Sequence, residues 1–548
     1  MQNLQVIISI AFIFILLIIL IFEKYKRNKF KEIDIEQILK NNKNKIIIII
    51  FLLVLIFISR IYKFGTLPYP IGVDEAGAAY DAYCLANFGV DRYLNSFPVY
   101  LVNFGGGQSA LYAYLNALLI KILGSSTILI ARLPELLMFL MAIFVSYKLV
   151  SKKQDKKTAM LLAFIITICP WHIIQSRCGL DCNLLGPMFI LDLFLLENAK
   201  KNYQYILAGI SVGITLYTYS LSYLIMPVFL LIWVIYHLYT KTVSVKQVII
   251  LASTIFIFAL PLMYFILLNI GVVEKTNFGI FTIPKLIEFR SKEIALQNII
   301  NVGPDSLMKL FLGSNTLYLL EIPFFAIGII NGIIAVIKSI KTKEYSFLSF
   351  MTITFLAILL PNLLVHIVTT NKGNILYIPI LYFVAVGIIE LIKNRKILWQ
   401  ILITTYLILF IIFEVYYYTD YAVKIHTVYE DITITNIMEY IEDTDKDKEK
   451  IYLFPYLKSE PYIYIMLYNE ISPYEFNETK EIETKEINGN QHRQMKKCSK
   501  YYFYNTEGLN EYHNNRTYIV NKEYYKVVNL LEKIGYKKEI FGEYYILT

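Results

Sequence analysis

Apolar blocks long enough to cross a lipid bilayer constrain the fold of this chain more than any other feature. Of the 548 residues, 57% are hydrophobic, and the mean hydropathy is +0.52. A membrane-spanning helix needs about 20 apolar residues in sequence, and soluble domains do not collect apolar residues in such blocks. The pattern predicts a polytopic α-helical membrane protein. The net charge of +9 comes from short basic clusters between the blocks, so it does not indicate nucleic-acid binding.

The apolar blocks predict about 12 membrane spans, with the basic clusters between them on the cytoplasmic side. The predicted spans are residues 5–22, 46–62, 133–150, 158–174, 184–197, 204–219, 221–238, 248–270, 321–337, 347–366, 374–392 and 398–417. The basic clusters are residues 23–31, 151–157, 199–201, 337–343 and 393–396. All of them are cytoplasmic when the N-terminus is outside. The first block has no positive segment before it and no small-residue cleavage site, so we interpret it as a retained span.

The first outer loop is predicted to be long, because the number of crossings between two cytoplasmic loops must be even. The loops at 23–45 and 151–157 are both basic, and three apolar segments lie between them: 46–62, about 109–123, and 133–150. The middle segment is short and contains Lys121, so we expect it to lie along the outer interface as an amphipathic helix. Residues 63–132 would then form one outer loop.

Three parts of the chain follow from this topology. Residues 1–45 hold an extra transmembrane helix and a basic cytoplasmic loop, and residues 46–417 hold the main membrane domain with about 11 spans. Residues 418–548 form a polar tail that the topology places outside. Its short apolar runs IYLFPYL and YYFYN, and its helix-like run YKVVNLLEKIG, predict a small α/β domain.

Two adjacent carboxylates, Asp74 and Glu75, follow the second predicted span in the stretch YPIGVDEAGAAYDAY. Small residues surround them, and no lysine is adjacent. A solvated acidic pair at the membrane edge is one interpretation, since a charge there costs little. The other interpretation is catalytic, because a carboxylate in this position could act as a general base toward an acceptor hydroxyl.

Positive residues occur in or beside the other outer segments. Arg177 lies in the turn WHIIQSRCGLDCN, with Asp181 four residues later. The two could form a local ion pair of small value, or the guanidinium could bind a phosphate at headgroup height. Arg132, in ARLPE at the start of the third predicted span, is interpreted mainly as an anchor of the helix end.

A late outer turn, TTNKGNILYIP, carries Lys372 between Asn371 and Asn374. A lysine at the interface often only extends toward water, but here it could also contact a phosphate. Tyr217 and Tyr219, in LYTYSLSY, lie at the outer end of a predicted helix pair. They are either part of an aromatic belt or part of a substrate site.

Several other kinds of site are excluded or disfavoured. The chain contains no P-loop, no HExxH motif and no serine nucleophile elbow. Its histidines and cysteines do not have metal-ligand spacing, so we expect no metal site and no cofactor. The five cysteines are expected to be free and buried, although Cys178 and Cys182 are close enough in sequence to pair.

Taken together and in order, the outer-side motifs resemble those of bacterial members of the protein O-mannosyltransferase and aminoarabinose-transferase family. These are polyprenyl-phosphate-dependent glycosyltransferases of the GT-C fold. The motifs are VDEAGAAYDAY, GGGQSALYAYLNALLIKILG followed by ARLPE, CPWHIIQSRCGLDCN, GITLYTYSLSYLIMP, FTIPKL and NKGNILYIP. The resemblance implies a GT-C fold with interfacial helices in the first outer loop. The first predicted span, residues 5–22, would then be an addition to the membrane helices that the family usually has.

The resemblance also implies an activity and a set of roles. Asp74, with Glu75 beside it, would activate an acceptor outside the cytoplasm: a protein, a glycolipid or a cell-wall polymer. The acceptor would attack a sugar carried on a polyprenyl phosphate in the bilayer, with inversion. Arg177 matches a family arginine, whereas Lys372 stands where many relatives have arginine. The C-terminal domain would help bind the acceptor.

Two other functions remain open from the sequence. A different cell-envelope glycan ligase or polymerase would carry its key residues in a large late loop and would not need Asp74. A lipid or glycan transporter would need polar residues near the middle of the membrane, and this chain has few of them.

Overall fold

The fold is taken from a computed structural model. It describes residues 2–26, 32–69, 71–104, 106–276, 278–287, 289, 295–313, 315–365, 370–425, 437, 440–441, 448–453, 462–487, 490–504 and 515–548. The helices up to the last long apolar one are α1 (Gln2–Lys26), α2 (Ile35–Lys40), α3 (Asn42–Ile56), α4 (Val73–Phe88), α5 (Leu111–Leu123), α6 (Ile128–Lys153), α7 (Lys156–Ile168), α8 (Pro170–Gln175), α9 (Leu185–Asn198), α10 (Asn202–Thr215), α11 (Ser222–Tyr239), α12 (Val245–Asn269), α13 (Gln297–Asn301), α14 (Gly303–Leu312), α15 (Glu321–Thr342), α16 (Phe347–Leu363), α17 (Tyr377–Ile392) and α18 (Lys396–Tyr416).

Every predicted span overlaps one or more of these helices, which confirms a polytopic helical membrane protein. Within the described part of the chain, seven helical segments are long and apolar enough to cross a membrane: Asn3–Phe22, Asn42–Ile61, Ile128–Lys153, Ser222–Tyr239, Val245–Asn269, Glu321–Thr342 and Lys396–Lys424. The other predicted spans fall on shorter helices, α7 to α10, α16 and α17. Because about 20 helical residues are needed to cross the bilayer core, the total of about 12 crossings stays a prediction.

The chain divides into two compact units that do not follow the predicted domain boundaries. Unit 1 consists of Met1–Phe64, Arg132–Met263 and Arg290–Thr419, and unit 2 consists of Gly65–Ala131, Tyr264–Phe289 and Asp420–Thr548. Unit 1 therefore contains most of the apolar helices. Unit 2 joins the first outer loop to the C-terminal segment, which the sequence analysis treats as a separate domain.

Two glycines allow a close contact between α15 and α17 in unit 1. A Cβ placed on Gly328 would lie 1.9 Å from the carbonyl oxygen of Phe383, and one on Gly387 would lie 1.9 Å from that of Phe324. No side chain fits in that space. Small residues that bring two backbones together are a common means of packing helices in membranes, where burial in lipid supplies no hydrophobic force between them.

Unit 2 contains two sheets and the helices that pack on them. The smaller sheet is a hairpin of β1 (Tyr100–Asn103) and β2 (Gly106–Ser109). The C-terminal elements are α19 (Ala422–Lys424), β3 (Lys450–Leu453), α20 (Tyr462–Tyr468), α21 (Pro473–Thr479), β4 (Glu481–Ile487), β5 (Asn490–Cys498), β6 (Tyr501–Tyr504), β7 (Thr517–Asn521), α22 (Tyr525–Lys533), β8 (Lys538–Phe541) and β9 (Tyr544–Leu547).

The larger sheet has seven strands in the order β4-β5-β6-β3-β7-β9-β8. Strand β3 pairs in parallel with both neighbours, and the other pairs are antiparallel. The three apolar runs noted in the tail become β3, β6 and α22. The predicted small α/β domain is therefore confirmed as a fold.

The core of unit 2 is shared between the first outer loop and the C-terminal segment. Ala76, Ala79 and Tyr80 of α4 are buried in one cluster with residues of α20 such as Ile463, and with Tyr452 of the central strand β3. Successive turns of α4 carry small residues, which lets the helix approach its neighbours closely. The helix that begins with Asp74 and Glu75 is thus packed into the C-terminal part of the chain.

Candidate active site

The two adjacent carboxylates lie in the first turn of α4 and have different surroundings. Glu75 is buried, and its Oε2 accepts a hydrogen bond from the backbone N–H of Gly72 at 3.3 Å. Asp74 is exposed. Consecutive residues of a helix point about 100° apart around its axis, so one carboxylate faces inward and caps the helix while the other faces outward. The first turn of a helix also stabilises negative charge.

Asp74 is held by a residue that the sequence analysis missed. Asn103, at the end of β1, donates a hydrogen bond from Nδ2 to Oδ1 of Asp74 over 3.3 Å. The side chain of Asn103 is itself buried. A donor on one carboxylate oxygen fixes the direction of the other oxygen. The hairpin that brings Asn103 to α4 lies almost 30 residues further along, beyond the reach of a local pattern.

A buried ion pair joins Asp81, two turns beyond Asp74 on α4, to Arg92 in the loop that follows this helix. Arg92 donates from Nε to Oδ1 of Asp81 at 2.9 Å and from Nη2 to Oδ2 at 2.8 Å, a bidentate arrangement. Nη2 also donates to the carbonyl oxygen of Gly77 at 2.5 Å. Burial alone would lower the pKa of Arg92, but the facing Asp81 carboxylate raises it above its ordinary value. Asp81 could have been singled out from the sequence, since it follows Asp74 by two helical turns.

Asp91 closes the loop that follows α4. Its Oδ1 accepts from the backbone N–H groups of Tyr93 at 2.9 Å and of Asn95 at 2.8 Å, and its Oδ2 accepts from the side chain of Asn95. Burial, with a further contribution from the nearby charge of Asp81, raises the pKa of Asp91 to about 6. The loop that positions Arg92 is therefore itself fixed by a buried acid.

Unit 1 brings together two outer segments that the sequence analysis considered separately. Trp171 donates from Nε1 to Oδ1 of Asn374 at 2.7 Å, and Nδ2 of Asn374 donates to the Cys182 carbonyl at 3.1 Å and to Oδ1 of Asn183 at 3.0 Å. Three protein contacts on one buried amide indicate a structural role for Asn374. The turn 370–376 is thereby attached to the segment 171–183.

The rest of this turn stays closer to solvent. Asn371 is half-buried and accepts from Nε2 of Gln175 at 3.2 Å, and the adjacent Lys372 is also half-buried. Asp181 is buried, and its Oδ1 accepts from the N–H of Cys182. Of the cations in segments 171–183 and 370–376, Lys372 is therefore the one whose side chain stays partly exposed.

Arg177 is fully buried and is used to join backbone segments. Its guanidinium donates to the carbonyl oxygens of Ser59, Tyr62 and Lys63 over 2.9–3.2 Å. It also lies 5.5 Å from the ring centroids of Tyr417 and Tyr418. These contacts hold the end of the second predicted span.

Arg60 and Glu414 complete a charged group around Arg177 that the sequence analysis did not single out. Arg60 donates to the Thr167 carbonyl at 2.7 Å and contacts Nδ1 of His172 at 2.8 Å. Glu414 interacts electrostatically with both arginines. Both carboxylate oxygens of Glu414 are buried without a hydrogen-bond partner in the described part of the chain. Arg60 and Glu414 lie inside apolar runs, and a hydropathy average over such a run does not reveal a single charged residue.

The remaining candidate residues also belong to unit 1. The hydroxyl of Tyr217 donates to the Phe258 carbonyl at 2.9 Å, which connects the end of α10 to α12. Tyr219 is half-buried, and Arg132 is fully buried in α6. Asp74 and Glu75 are the two candidate residues in unit 2. Among the described residues, no group of three or more His, Cys, Asp or Glu side chains could hold a metal ion. All five cysteines are buried and form no disulfide.

Comparison with known proteins gives a family match and a fold. Residues 108–265 match the family described as dolichyl-phosphate-mannose-protein mannosyltransferase. No curated protein sequence matches the chain. The apo crystal structure of ArnT from Cupriavidus metallidurans is similar with a TM-score of 0.56 and 10% sequence identity, and the structure of ArnT bound to undecaprenyl phosphate is similar with a TM-score of 0.57 and 11% identity. Each similarity covers 92% of this chain and 97% of ArnT. Residues 108–265 are therefore similar to that mannosyltransferase family, and the chain as a whole shares the fold of ArnT.

Proposed function

We propose that this protein is a glycosyltransferase that moves a sugar from a polyprenyl-phosphate donor to an acceptor outside the cytoplasm, with Asp74 as general base and inversion at the sugar. A lipid-linked donor is consistent with the apolar helices of unit 1 and with the undecaprenyl phosphate bound to ArnT, the similar structure. A multi-pass enzyme of this kind keeps the donor in the bilayer. Its acceptor site opens to water outside the cytoplasm, where the predicted topology places residues 63–132 and 418–548.

The observation that carries this proposal is the different placement of the two adjacent acids. Glu75 is buried against the helix start, and Asp74 is exposed with one oxygen bonded to Asn103. A general base must reach the proton that it takes. Asp74 meets that requirement, and Glu75 serves to fix the turn that presents Asp74.

The reaction follows from these positions. The acceptor hydroxyl or amine loses its proton to Asp74 and attacks the anomeric carbon of the sugar. The bond between this carbon and the phosphate oxygen breaks, and its electron pair leaves with the lipid phosphate. A single displacement inverts the anomeric centre. Negative charge grows on the phosphate, so fixed positive groups nearby lower the barrier.

The resemblance assigns that charge to Lys372 and Arg177, both in unit 1. The guanidinium of Arg177 is enclosed by carbonyl oxygens and aromatic rings, so it contributes through its charge and through the backbone that it fixes. Lys372 keeps surface in the attached turn, and we assign the direct phosphate contact to it. Lysine binds as a point charge, whereas the arginine of many relatives would bind with a fork.

The test is sugar transfer from short polyprenyl-phosphate sugars by purified wild-type and Asp74→Asn protein. The amide has nearly the same shape as the carboxylate but cannot take a proton, so the variant is expected to lose about 100-fold or more in kcat. Glu539→Gln, a change of an exposed acid on β8 in the same unit, is the matched control. Donor binding should survive in Asp74→Asn. Wild-type turnover in that variant would contradict the proposal.

A further inference from the structure

The chain turns back along α12 after that helix ends. The hydroxyl of Tyr264 donates a hydrogen bond to the backbone carbonyl of Glu274 at 2.6 Å. The ring of Tyr264 also contacts the ring of Phe278, with their centroids 5.0 Å apart. Tyr264 precedes Asn269, the last residue of α12, by five positions, which is about 7.5 Å along a helix axis. The chain therefore returns to a level well below the helix end before it passes Phe278.

The chain then rises again and is fixed to the end of the same helix. Nδ2 of Asn269 donates a hydrogen bond to the Pro284 carbonyl at 3.2 Å, and Oδ1 of Asn269 accepts one from the backbone N–H of Leu286 at 2.7 Å. Residues 271–276 and 278–286, the returning segment, therefore leave α12 and come back to it at the same level. They belong to unit 2, as does the end of α12 from Tyr264 onward.

The turn between the two halves of the returning segment consists of Phe278, Gly279 and Ile280, and it presents apolar side chains. Gly279 has a φ of +78°, and the N–H of Ile280 donates to the carbonyl of Phe278 at 3.1 Å. Only glycine adopts such a backbone conformation readily. The side chain of Ile280 is 79% exposed and that of Phe278 is 39% exposed. These three residues are the tip of the returning segment.

The tip is held from a second direction. The N–H of Thr282 donates to the Ser96 carbonyl at 2.8 Å, and Oγ of Ser96 donates to the Ile280 carbonyl at 3.3 Å. The ring of Phe281 stacks on that of Phe278 with centroids 5.2 Å apart. The contacts fix the backbone on both sides of the tip. They still leave Ile280 and Phe278 exposed, so packing within unit 2 does not cover these side chains.

The helix beside the tip is apolar and long enough to cross a membrane. Its 25 residues span about 37 Å, against about 30 Å for the hydrocarbon core. A level about 7.5 Å below its end therefore lies close to the boundary between headgroups and acyl chains, where interfacial segments bury apolar side chains. Leu267 and Ile270 at the end of α12, and Val272 after it, are also exposed. The apolar surface of the tip thus continues the lipid-facing surface of a membrane helix.

The charges beside the tip suit the headgroup region. Lys275 precedes the tip and Lys285 follows it, and both side chains are exposed. Glu274 is the one acidic residue in the sequence from 272 to 285. Lysines beside an apolar segment keep their ammonium groups at headgroup height, and positive charge attracts such a segment to anionic lipid. Depth and charge together favour a phospholipid surface over a second protein as the partner of the tip.

We propose that the returning segment is a membrane anchor of unit 2. Phe278 and Ile280 insert into the outer leaflet, and Lys275 and Lys285 contact phospholipid phosphates. The partner is the lipid surface itself, with a preference for anionic headgroups. The anchor uses none of the residues assigned to sugar transfer, so it stands or falls independently of the proposed function.

Fluorescence quenching at known depths tests the insertion. The full chain with Ile280→Cys is labelled with the environment-sensitive dye NBD, and the five native cysteines are buried and should label little. It is reconstituted into vesicles of phosphatidylcholine and phosphatidylglycerol that carry a nitroxide on the headgroup or high on the acyl chain. We expect a blue-shifted emission and about twofold or greater quenching by the acyl-chain nitroxide. Lys285→Cys, at the level of the helix end, is the depth reference and should be quenched more by the headgroup nitroxide.

Two results would overturn the anchor. An emission at position 280 like that of the dye in water, without quenching by either nitroxide, would show that the tip stays in water. A blue-shifted emission that neither nitroxide quenches would show that protein, such as a second copy of the chain, covers the tip. Because Ile280 is mostly exposed, its replacement should leave the melting temperature in detergent unchanged, and this is measured in parallel.

Lipid selectivity tests the two lysines. With the dye at position 280, nitroxide-labelled phosphatidylglycerol should quench about twofold more than nitroxide-labelled phosphatidylcholine at the same mole fraction. Replacing Lys275 and Lys285 together by glutamine should remove that preference and keep the depth. Lys526→Gln, at an exposed lysine of α22 in the same unit, should retain it. Equal quenching by the two lipids in the protein with both lysines would overturn the assigned phosphate contacts.

Discussion

The hydroxyl of Tyr80 donates a hydrogen bond to the backbone carbonyl of Ile471, 391 positions later in the chain, over 2.5 Å. Tyr80 lies on α4, and Ile471 lies between α20 and α21. Both residues are buried in the core of unit 2. The helix that presents Asp74 is therefore attached to the C-terminal segment by a specific polar contact as well as by apolar packing.

Replacing Tyr80 by phenylalanine should loosen that attachment. The variant leaves the buried Ile471 carbonyl without its donor, which costs about 1–3 kcal/mol. We expect a lower melting temperature in detergent and a lower kcat. Tyr525→Phe, at an exposed tyrosine of α22 in the same unit, should change neither. Identical melting curves for wild type and Tyr80→Phe would show that the contact contributes nothing to stability.

Asn374 is predicted to matter for stability more than for substrate binding. Asn374→Ala removes the partner of Trp171 Nε1 and the donor to Cys182 and Asn183, and each buried group left unpaired costs about 1–3 kcal/mol. The melting temperature should fall, with donor KM retained in the folded fraction. In a cycle with Trp171→Phe, the two losses should be less than additive. Fully additive losses would mean that the two side chains do not depend on each other.

Lys372 is predicted to contact the donor phosphate. Lys372→Ala should raise the donor KM about 10- to 100-fold, because a hydrogen bond to a charged group contributes about 1.5–3 kcal/mol. Lys372→Arg should retain binding, since the guanidinium is the group that many relatives use. Lys309→Ala, at an exposed lysine of α14, is the control. An unchanged donor KM in Lys372→Ala would assign the phosphate contact to another residue.

Asp91 gives a pH dependence whose sign can be stated. Its pKa is raised from an ordinary value of 3.8 to about 6 by burial and by Asp81, so between these values the folded protein binds more protons than the unfolded chain. The stability that this proton provides is present below about pH 4 and is lost as the pH rises toward 6. The shift corresponds to about 3 kcal/mol. Asp91→Asn should lack this component.

The measurement is the free energy of unfolding of both proteins from pH 4 to pH 8. Other acids titrate in both proteins, so their effects cancel in the difference between wild type and variant. Relative to the wild type, the free energy of unfolding of Asp91→Asn should rise between pH 4 and pH 6. Above pH 6.5 the difference should stay constant. A difference that is constant over the whole range would show that Asp91 is not perturbed.

The predicted sidedness can be tested by thiol labelling. All five native cysteines are buried, so the wild type should react little with a membrane-impermeant maleimide in intact cells. Glu539→Cys, on the exposed edge strand β8, should be labelled in intact cells. Lys156→Cys, at the first residue of α7 and within the basic cluster 151–157, should be labelled only after the membrane is opened. The opposite pattern would reverse the topology.

Hydropathy and charge were sufficient to predict the membrane helices, because both signals are local in sequence and are imposed by the bilayer. The stretch that carries Asp74 and Glu75 was also recognisable. Its two acids could not be assigned separate roles, since only the start of α4 decides which of them turns inward. Tyr80 lies in the same stretch, but its role depends on Ile471, and no local pattern reports a partner so far away.

The same limit explains the residues that were missed or reassigned. Arg92 and Asn103 reach their partners Asp81 and Asp74 only when the loop after α4 and the hairpin β1–β2 fold back on α4. Asn374 looked like part of a substrate site because an interfacial turn commonly supplies one. The structure shows its amide occupied by three protein partners. Residue type and position predict which groups are present, and long-range contacts decide which of them are already in use.

Unit 2 is built from three separate stretches of the chain, which limits how this protein can be recombined with proteins of the same fold. A hybrid joined at residue 417 would place a foreign C-terminal segment against Tyr80, Ala76 and the loop at Arg92, all of which match their present partners. Residues 65–131, 264–289 and 420–548 form one compact unit in three stretches, and they should be exchanged together. Exchanging them together transfers Asp74 with the helix that carries it and with the packing partners of that helix, and exchanging any one piece alone separates them.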